Sequence, residues 1–140
     1  MIKKIIIPKE QATFWLDKNG RWQNEHGEFE HKKIIDYFHA SIRCDENGYH
    51  LYQLTDEFEE KVYFNHEDTP FFVFDIINDD GIWLVLNNKD KIKLIPENLF
   101  VKGDSLYMKG EEHIVKFSER ALLKVSGFIN IDTFELIRHY

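Results

Sequence analysis

The residues with the clearest chemical potential lie in a short hairpin near the start of the chain. Asn19-Gly20 separates two aromatic runs, which is a strong hairpin signal because both residues tolerate positive φ. Trp15 and Trp22 then lie at the two ends of the hairpin, with Arg21 beside them. Two flat rings can sandwich a base while a guanidinium holds its phosphate. We therefore predict Trp15, Arg21 and Trp22 as ligand-binding residues; the alternative is that the rings cover the first helix.

A second candidate pair, Asp68 and Thr69, precedes Pro70 and an apolar run that begins at Phe71. In the functional interpretation their carboxylate and hydroxyl face a cleft. In the structural interpretation they cap the turn that leads into the strand. We predict both as ligand-binding residues, together with the three hairpin residues.

Two other groups are compatible with catalysis. His26, Glu28, Glu30 and His31 offer imidazole and carboxylate ligands for a divalent metal, although acidic residues ahead of a helix are more often a solvated turn. We predict no metal site and no cofactor there.

Cys44 lies six residues before His50, a pair that suggests a nucleophile and its base. A lone cysteine is more often a small buried apolar side chain. The sequence also lacks a glycine-rich phosphate loop, Gly-x-Ser-x-Gly and His-Glu-x-x-His. We predict that the protein is not an enzyme; a metal-dependent hydrolase using His26 or His31 is the remaining catalytic alternative.

The composition limits the class of protein. The 140 residues are 43% hydrophobic and 15% aromatic, and the net charge of -7 disfavours binding to a nucleic acid polymer or to an anionic membrane. The single cysteine excludes an internal disulfide. The apolar run before Pro8 is shorter than the core of a signal peptide, and no run approaches the length of a membrane span. We therefore expect a cytoplasmic protein.

Periodicity predicts the elements that position these residues. Two helices are expected, one from His31 and one behind Ser118 as N-cap. Their apolar stripes are Ile34, Ile35, Phe38 and Ile42 in the first and Ala121, Leu122, Val125 and Ile129 in the second. Strands are predicted at residues 49–54, 60–65, 71–77, 82–86, 91–95, 99–101, 106–108 and 114–117. The last six strands form a mostly antiparallel β meander, and residues 130–140 fit either a strand or a short helix.

The two helical stripes coincide at a constant offset of 87 residues. A short hairpin precedes each helix, at residues 15–22 and 100–107, and residues 49–54 correspond to residues 135–139. We therefore predict an α+β fold made of duplicated hairpin-helix-strand units, with an N-terminal subdomain at 1–66 and a C-terminal β-rich subdomain at 67–140. The seam between the repeats is the natural place for a cleft.

Two signatures resemble those of a bacterial family, the domain-of-unknown-function 1285 (DUF1285) family. One is the hairpin residues Trp15, Leu16, Asp17, Gly20 and Trp22; the other is Glu67, Asp68, Pro70 and Phe71 at the start of a buried strand. The resemblance covers nearly the whole chain in order and spacing. It implies a duplicated α+β core whose second half superficially looks like a pleckstrin-homology barrel. It also implies a pocket between the halves, for a nucleotide-like molecule, and a role in signalling, but no established activity.

Together these observations predict a non-enzymatic sensor or adaptor that binds a small anionic or nucleotide-like ligand between its two repeats. The alternative is a protein-interaction module that recruits a partner through an exposed strand edge or an aromatic patch.

Overall fold

The computed structural model describes residues 2–137. The chain divides after Pro70 into two compact units, residues 1–70 and 71–140. The described residues form a mixed α+β fold with three β-sheets and two α-helices. Neither of these helices is long and apolar enough to cross a membrane.

The first unit contains two four-stranded sheets and one helix. Its elements are β1 (Lys3–Ile7), β2 (Phe14–Leu16), β3 (Trp22–Asn24), β4 (Gly27–Glu28), α1 (Lys32–Ala40), β5 (Ile42–Asp45), β6 (Gly48–Leu54), β7 (Phe58–Tyr63) and β8 (Asn65–His66). One sheet has the order β1-β7-β6-β5 and the other has the order β4-β3-β2-β8. The pairs β1-β7 and β2-β8 are parallel, and the others are antiparallel.

The predicted hairpin is confirmed as β2 and β3. The Asp17 carboxylate closes its turn by accepting hydrogen bonds from the backbone N–H groups of Asn19 and Arg21, both at 2.9 Å. Gly20 adopts a φ of 79°, a conformation that a residue with a Cβ rarely takes. The turn therefore depends on the aspartate and the glycine together.

The first predicted helix is confirmed as α1, but it ends at Ala40, so the prediction that Ile42 continues the helical stripe is wrong. The Ser41 N–H is shared between the carbonyls of Tyr37 and Phe38, and the Ser41 hydroxyl also donates to the Tyr37 carbonyl. This tight C-cap turns the chain into β5, where Ile42 is buried opposite Leu51. A buried isoleucine is compatible with a strand and with a helix, so the apolar spacing alone did not show where the helix ends.

The core of the first unit is centred on Trp22. Its ring centroid lies 5.0 to 5.8 Å from those of Phe14, Phe38 and Phe64, in edge-to-face arrangements. The indole Nε1–H donates to Nδ1 of the buried His39 at 3.1 Å. This bond satisfies the polar atom of a side chain that is only 1% exposed.

The second unit is built on one six-stranded sheet, and all six predicted strands are confirmed. They are β9 (Phe71–Asn78), β10 (Ile82–Leu86), β11 (Lys91–Lys93), β12 (Leu99–Lys102), β13 (Ser105–Lys109) and β14 (Ile114–Phe117), and α2 (Glu119–Val125) follows them. The sheet order is β11-β10-β9-β14-β13-β12. Two antiparallel meanders are joined by the parallel pair β14-β9, so the apolar strand β9 lies at the centre.

Ser118 is the N-cap of α2 as predicted, with its hydroxyl accepting a hydrogen bond from the Ala121 N–H at 3.1 Å. The prediction that Ile129 belongs to this helix is wrong, because α2 ends at Val125 and Ile129 makes an isolated antiparallel bridge to Leu136. Phe134, between the bridged residues, has a φ of 62° and helps the chain reverse. The strand predicted at 135–139 is reduced to this bridge within the described residues, and His139 lies outside them.

The predicted duplication and the pleckstrin-homology-like shape are not confirmed. Both units contain three antiparallel strands followed by a helix, β2-β3-β4-α1 in one and β12-β13-β14-α2 in the other. The additional parallel strand, however, joins the first of the three strands in the first unit and the last of them in the second. Because strand pairing, rather than element order, defines a sheet, the two units have different topologies.

Candidate functional site

The structure does not form the predicted sandwich of Trp15 and Trp22. In the β2-β3 ladder Leu16 lies opposite Trp22, and both side chains face the core. Because successive side chains on a strand point to opposite faces, Trp15 lies on the other face of this small sheet. The ring of Trp22 is enclosed by three phenylalanines, so the alternative that it covers the first helix is the one observed.

Arg21 and Trp15 remain accessible, but each is engaged locally. The Arg21 guanidinium Nε lies 3.3 Å from a Glu28 carboxylate oxygen, in an exposed ion pair. Trp15 is half-buried in β2, between Gln23 of β3 and Asn65 of β8. Because Gln23 pairs with both Trp15 and Glu28, Trp15 lies on the same sheet face as the Glu28 partner of Arg21. This face carries no pocket that we describe, and Trp22 is not part of it.

The two sequence signatures become neighbours in the fold. The Glu67 N–H donates to the Leu16 carbonyl at 2.9 Å, and the Glu67 carboxylate accepts from the Lys18 N–H at 3.1 Å. Asp68 and Thr69 follow directly; Thr69 is buried, and Asp68 is half-buried. The second signature thus begins directly after β8, and its Glu67 is bonded to the hairpin of the first signature.

The first unit contains a cleft of about 600 Å³, here called the first-unit cleft. It is formed where the end of β1, the turn between β5 and β6, and the segment from β7 to β8 come together. Its lining residues are Ile6, Pro8, Lys9, Glu10, Asn47, Gly48, Tyr49, Tyr63, Phe64, Asn65 and His66. The five predicted site residues are not among them.

The His66 side chain is held in a defined orientation at the first-unit cleft. Its Nδ1 lies 3.0 Å from the Asp68 carbonyl oxygen. Because a carbonyl only accepts, this bond places a proton on Nδ1 and leaves Nε2 as the nitrogen available to a ligand. The imidazole also meets the Tyr49 ring edge-to-face, with centroids 5.5 Å apart.

The other cleft residues supply charge and hydrogen-bonding groups of both kinds. Lys9 and Glu10 lie on a 3-10 turn that follows β1, and Asn65 offers an amide. Burial, with a smaller contribution from Cys44, raises the pKa of the Tyr49 phenol, so this group is a neutral donor at physiological pH. The lining therefore combines a cation, a carboxylate, an amide, an imidazole and aromatic rings.

A cluster of hydrogen bonds at Asp45 holds the wall of the first-unit cleft. Asp45 Oδ2 accepts from the Tyr63 hydroxyl at 2.7 Å and from Lys61 Nζ at 3.0 Å, and Oδ1 accepts from the Asn47 N–H at 2.9 Å. Bonding to Tyr63, then to Lys61, lowers the pKa of Asp45 well below its usual range. The same cluster fixes the Tyr63 ring and the turn that carries Asn47, both of which line the cleft.

His50 is buried beside this cluster. Its Nδ1 lies 3.3 Å from the Gly48 carbonyl and 3.9 Å from Asp45 Oδ1. Cys44 pairs with Tyr49, and His50 pairs with Arg43, so the thiol and the imidazole lie on opposite faces of the sheet. The predicted alternative of a cysteine nucleophile with a histidine base is therefore not assembled.

The residues compatible with metal binding, His26, Glu28, Glu30 and His31, are not arranged as a metal site. His26 lies 3.4 Å from the neighbouring Glu25 carboxylate, at an exposed position, and His31 precedes α1 as its N-cap residue. Within residues 2–137, no group of three or more histidine, cysteine or acidic side chains is arranged to hold a metal ion.

The sequence did not identify the cleft residues, because they come from three stretches that are distant along the chain, residues 6–10, 47–49 and 63–66. Lys9, Tyr49 and His66 share no motif or periodicity. The nearest signal was the second signature, which begins at Glu67, directly after His66. The residues predicted from it were Asp68 and Thr69.

Two solved structures share the fold of this chain. A DUF1285 family protein from Shewanella baltica OS155 matches with a TM-score of 0.60 and 16% identity, over 91% of this chain and 100% of that chain. A DUF1285 family protein from Silicibacter pomeroyi DSS-3 matches with a TM-score of 0.62 and 12% identity, over 91% of this chain and 73% of that chain. No protein-family model matches the chain, and no curated protein matches its sequence. The predicted resemblance to the DUF1285 family is therefore confirmed at the level of the fold.

Proposed function

We propose that the protein binds a small anionic or nucleotide-like molecule in the first-unit cleft and acts as a sensor or adaptor rather than as an enzyme. The observation that carries this proposal is the positioned His66, whose Nδ1 is bound to a carbonyl while its ring lines a cleft that also contains Lys9. A side chain held in this way is prepared to receive a ligand without further ordering.

The size of the first-unit cleft supports a small organic ligand. A volume of about 600 Å³ falls within the range that small-molecule sites occupy. Tyr49, Tyr63 and Phe64 give the apolar and aromatic lining against which a ring packs. Inorganic ions would leave most of this space empty.

The charged groups narrow the class of ligand. Lys9 offers an ammonium to a phosphate or carboxylate, while Glu10 on the same turn accepts hydrogen bonds from hydroxyl or amino groups. A nucleotide, or a similar molecule with a ring, hydroxyls and an anionic group, has partners for all of these side chains. This location differs from the sequence prediction, because every lining residue belongs to the first unit.

The sensor or adaptor role, the part in signalling and the cytoplasmic location belong to the same proposal. They are supported by the resemblance drawn from the sequence and by the composition. The fold match to DUF1285 family structures is compatible with them and adds no activity.

A thermal-shift screen of nucleotides and anionic metabolites tests the proposal. A ligand at about 100 times its dissociation constant adds about 2.7 kcal/mol to the free energy of unfolding, an increase that a melting curve resolves. The affinity of each ligand found in this way is then measured for the unmodified protein and for the Lys9→Gln variant. We expect about tenfold weaker binding to the variant, because a charge-assisted hydrogen bond is lost.

Lys33→Gln is the matched control, because Lys33 is an exposed lysine of α1 that does not line the first-unit cleft. It should bind every hit as tightly as the unmodified protein does. A flat response across a broad panel, or hits that Lys9→Gln and Lys33→Gln bind equally well, would contradict the proposal.

A further inference from the structure

Strand β1 has an unpaired outer edge. It is the terminal strand of the sheet β1-β7-β6-β5 and pairs with β7 on one side. Across residues 2–137 no strand pairs with its other side. At five residues it is longer than the outer strands β5, β4, β8, β11 and β12.

The register shows which backbone groups this edge offers. The Lys3 N–H donates to the Glu57 carbonyl at 3.0 Å, so Lys3, Ile5 and Ile7 direct their backbone groups toward β7. Because these directions alternate along a strand, the N–H and C=O groups of Lys4 and Ile6 point outward. The Ile6 residue is 65% exposed, so nothing in the described chain covers this position.

Strand β5, at the opposite edge of the same sheet, is partly closed by its own side chain. The Arg43 guanidinium donates to the carbonyls of Ala40 and Ile42 at 3.0 and 2.9 Å. The two outer edges of this sheet therefore differ: a side chain covers part of the β5 edge, whereas the β1 edge carries the exposed apolar side chain of Ile6.

The charge of this segment is opposite to that of the whole chain. The first nine residues contain three lysines and no acidic residue, whereas the chain carries a net charge of -7. Lysines on an edge strand discourage pairing with a second copy of the same strand. The same lysines attract an acidic strand, because complementary charge guides the choice of partner.

We propose that the outer edge of β1 receives an acidic, extended segment of a partner protein by β-strand addition. The outward N–H and C=O groups of Lys4 and Ile6 form the ladder, and Lys3 and Lys4 pair with carboxylates of the added strand. Ile6 also lines the first-unit cleft, but neither lysine does. This interaction therefore goes beyond the proposed function of the cleft, and variants of Lys3 and Lys4 leave the lining of the cleft unchanged.

Lys3 and Lys4 lie on opposite faces of the sheet. The test therefore uses the full chain and a fluorescently labelled synthetic decapeptide in which pairs of glutamates alternate with pairs of valines, so that an added strand has carboxylates on both faces. Its counterpart with lysine in place of glutamate is the control peptide. Fluorescence anisotropy should show binding of the acidic peptide that weakens as salt is added. The double variant Lys3→Glu/Lys4→Glu should weaken this binding by about tenfold, because attractive pairs become repulsive ones.

Two further variants separate backbone pairing from charge. Lys4→Pro removes the outward N–H along with the charge and leaves the bonds to β7 intact, whereas Lys4→Ala removes the charge alone. We expect Lys4→Pro to weaken binding more than Lys4→Ala, at an unchanged melting temperature. Lys91→Glu/Lys93→Glu, on the edge strand β11, is the matched control and should bind as the unmodified protein does.

Each of the other outcomes overturns the proposal. These are no binding of the acidic peptide, equal binding of the basic one, equal losses in the β1 and β11 variants, and binding to anionic lipid vesicles without binding to the peptide. A dimer in light scattering that Lys4→Pro abolishes would also overturn it, because the edge would then pair with a second copy.

Discussion

In the first unit, polar side chains form a cluster of shared hydrogen bonds at one end of a four-stranded sheet. In the second unit, the polar contacts lie at separate positions along a six-stranded sheet. Asp45, Lys61 and Tyr63 share hydrogen bonds beside the first-unit cleft. In the second unit the buried Asn87 side chain accepts from the Phe72 N–H, and Lys124 pairs with Asp75 at 2.7 Å.

The contrast follows from the shape of the two structures. The long strand β9 is mostly apolar, and its polar contacts lie apart from one another. Asp75, in its middle, binds Lys124, and the Phe72 N–H, near its start, donates to Asn87. A short sheet that ends in a tight turn leaves room for several polar side chains to meet. The candidate chemistry therefore lies in the first unit, while the second is held by apolar packing and single caps.

The largest expected effect concerns how much the Trp22 ring contributes to the stability of the first unit. Trp22→Ala should lower the free energy of unfolding by about 3–5 kcal/mol, because it opens a cavity among three phenylalanines and removes the partner of His39. Chemical denaturation measures the loss. Trp15→Ala is the matched control and should cost less than half as much, because Trp15 is half-buried on the other face. Equal losses of stability in the two variants would contradict the conclusion that Trp22 and Trp15 lie on different faces of their sheet.

An intermediate effect is expected at the N-caps of the two helices, which differ in their side-chain hydrogen bonds. Ser118→Ala should destabilise the protein by about 1 kcal/mol, because the Ala121 N–H loses its cap. The first residue before α1, His31, makes no side-chain cap, so His31→Asp should stabilise it by about 0.5–1 kcal/mol. Thermal unfolding of both variants checks the opposite signs; a gain for Ser118→Ala or a loss for His31→Asp would contradict this difference.

The smallest expected effect concerns how two carboxylates, Asp45 and Asp75, contribute to stability at acid pH. Hydrogen bonds from Tyr63 and Lys61 lower the pKa of Asp45, and the bond from Lys124 lowers the pKa of Asp75. A lowered pKa in the folded state gives stability above the ordinary value of 3.8, and this stability is lost as pH falls below that value. The free energy of unfolding should therefore fall less between about pH 5 and pH 2 in both variants than in the unmodified protein. This reduction should be larger in Asp45→Asn than in Asp75→Asn.

Acid-dependent denaturation curves of the two variants and the unmodified protein give this comparison. Asp45 has the larger set of partners, which is the reason for the expected order. Steeper acid dependence in Asp45→Asn than in the unmodified protein would reverse the sign of the argument.

Much of the fold could be predicted from local pattern. The Asn19-Gly20 turn, the six strands of the second unit and the cap at Ser118 each depend on residues within a few positions of one another. The helix ends were missed at Ile42 and Ile129, because a buried isoleucine satisfies a helical stripe and a strand equally. The candidate site was missed because Lys9, Tyr49 and His66 meet only through strand pairing.

The sequence by itself determined the α+β class, the hairpin, the run of strands and the resemblance to the DUF1285 family, because turns, periodicity and short signatures are local properties. The tertiary structure decided the rest. Strand alternation turned Trp22 inward and Trp15 outward, and the parallel pairings β1-β7 and β2-β8 brought distant side chains around one cleft. Those pairings join residues far apart along the chain, and no short-range preference specifies which strands will meet.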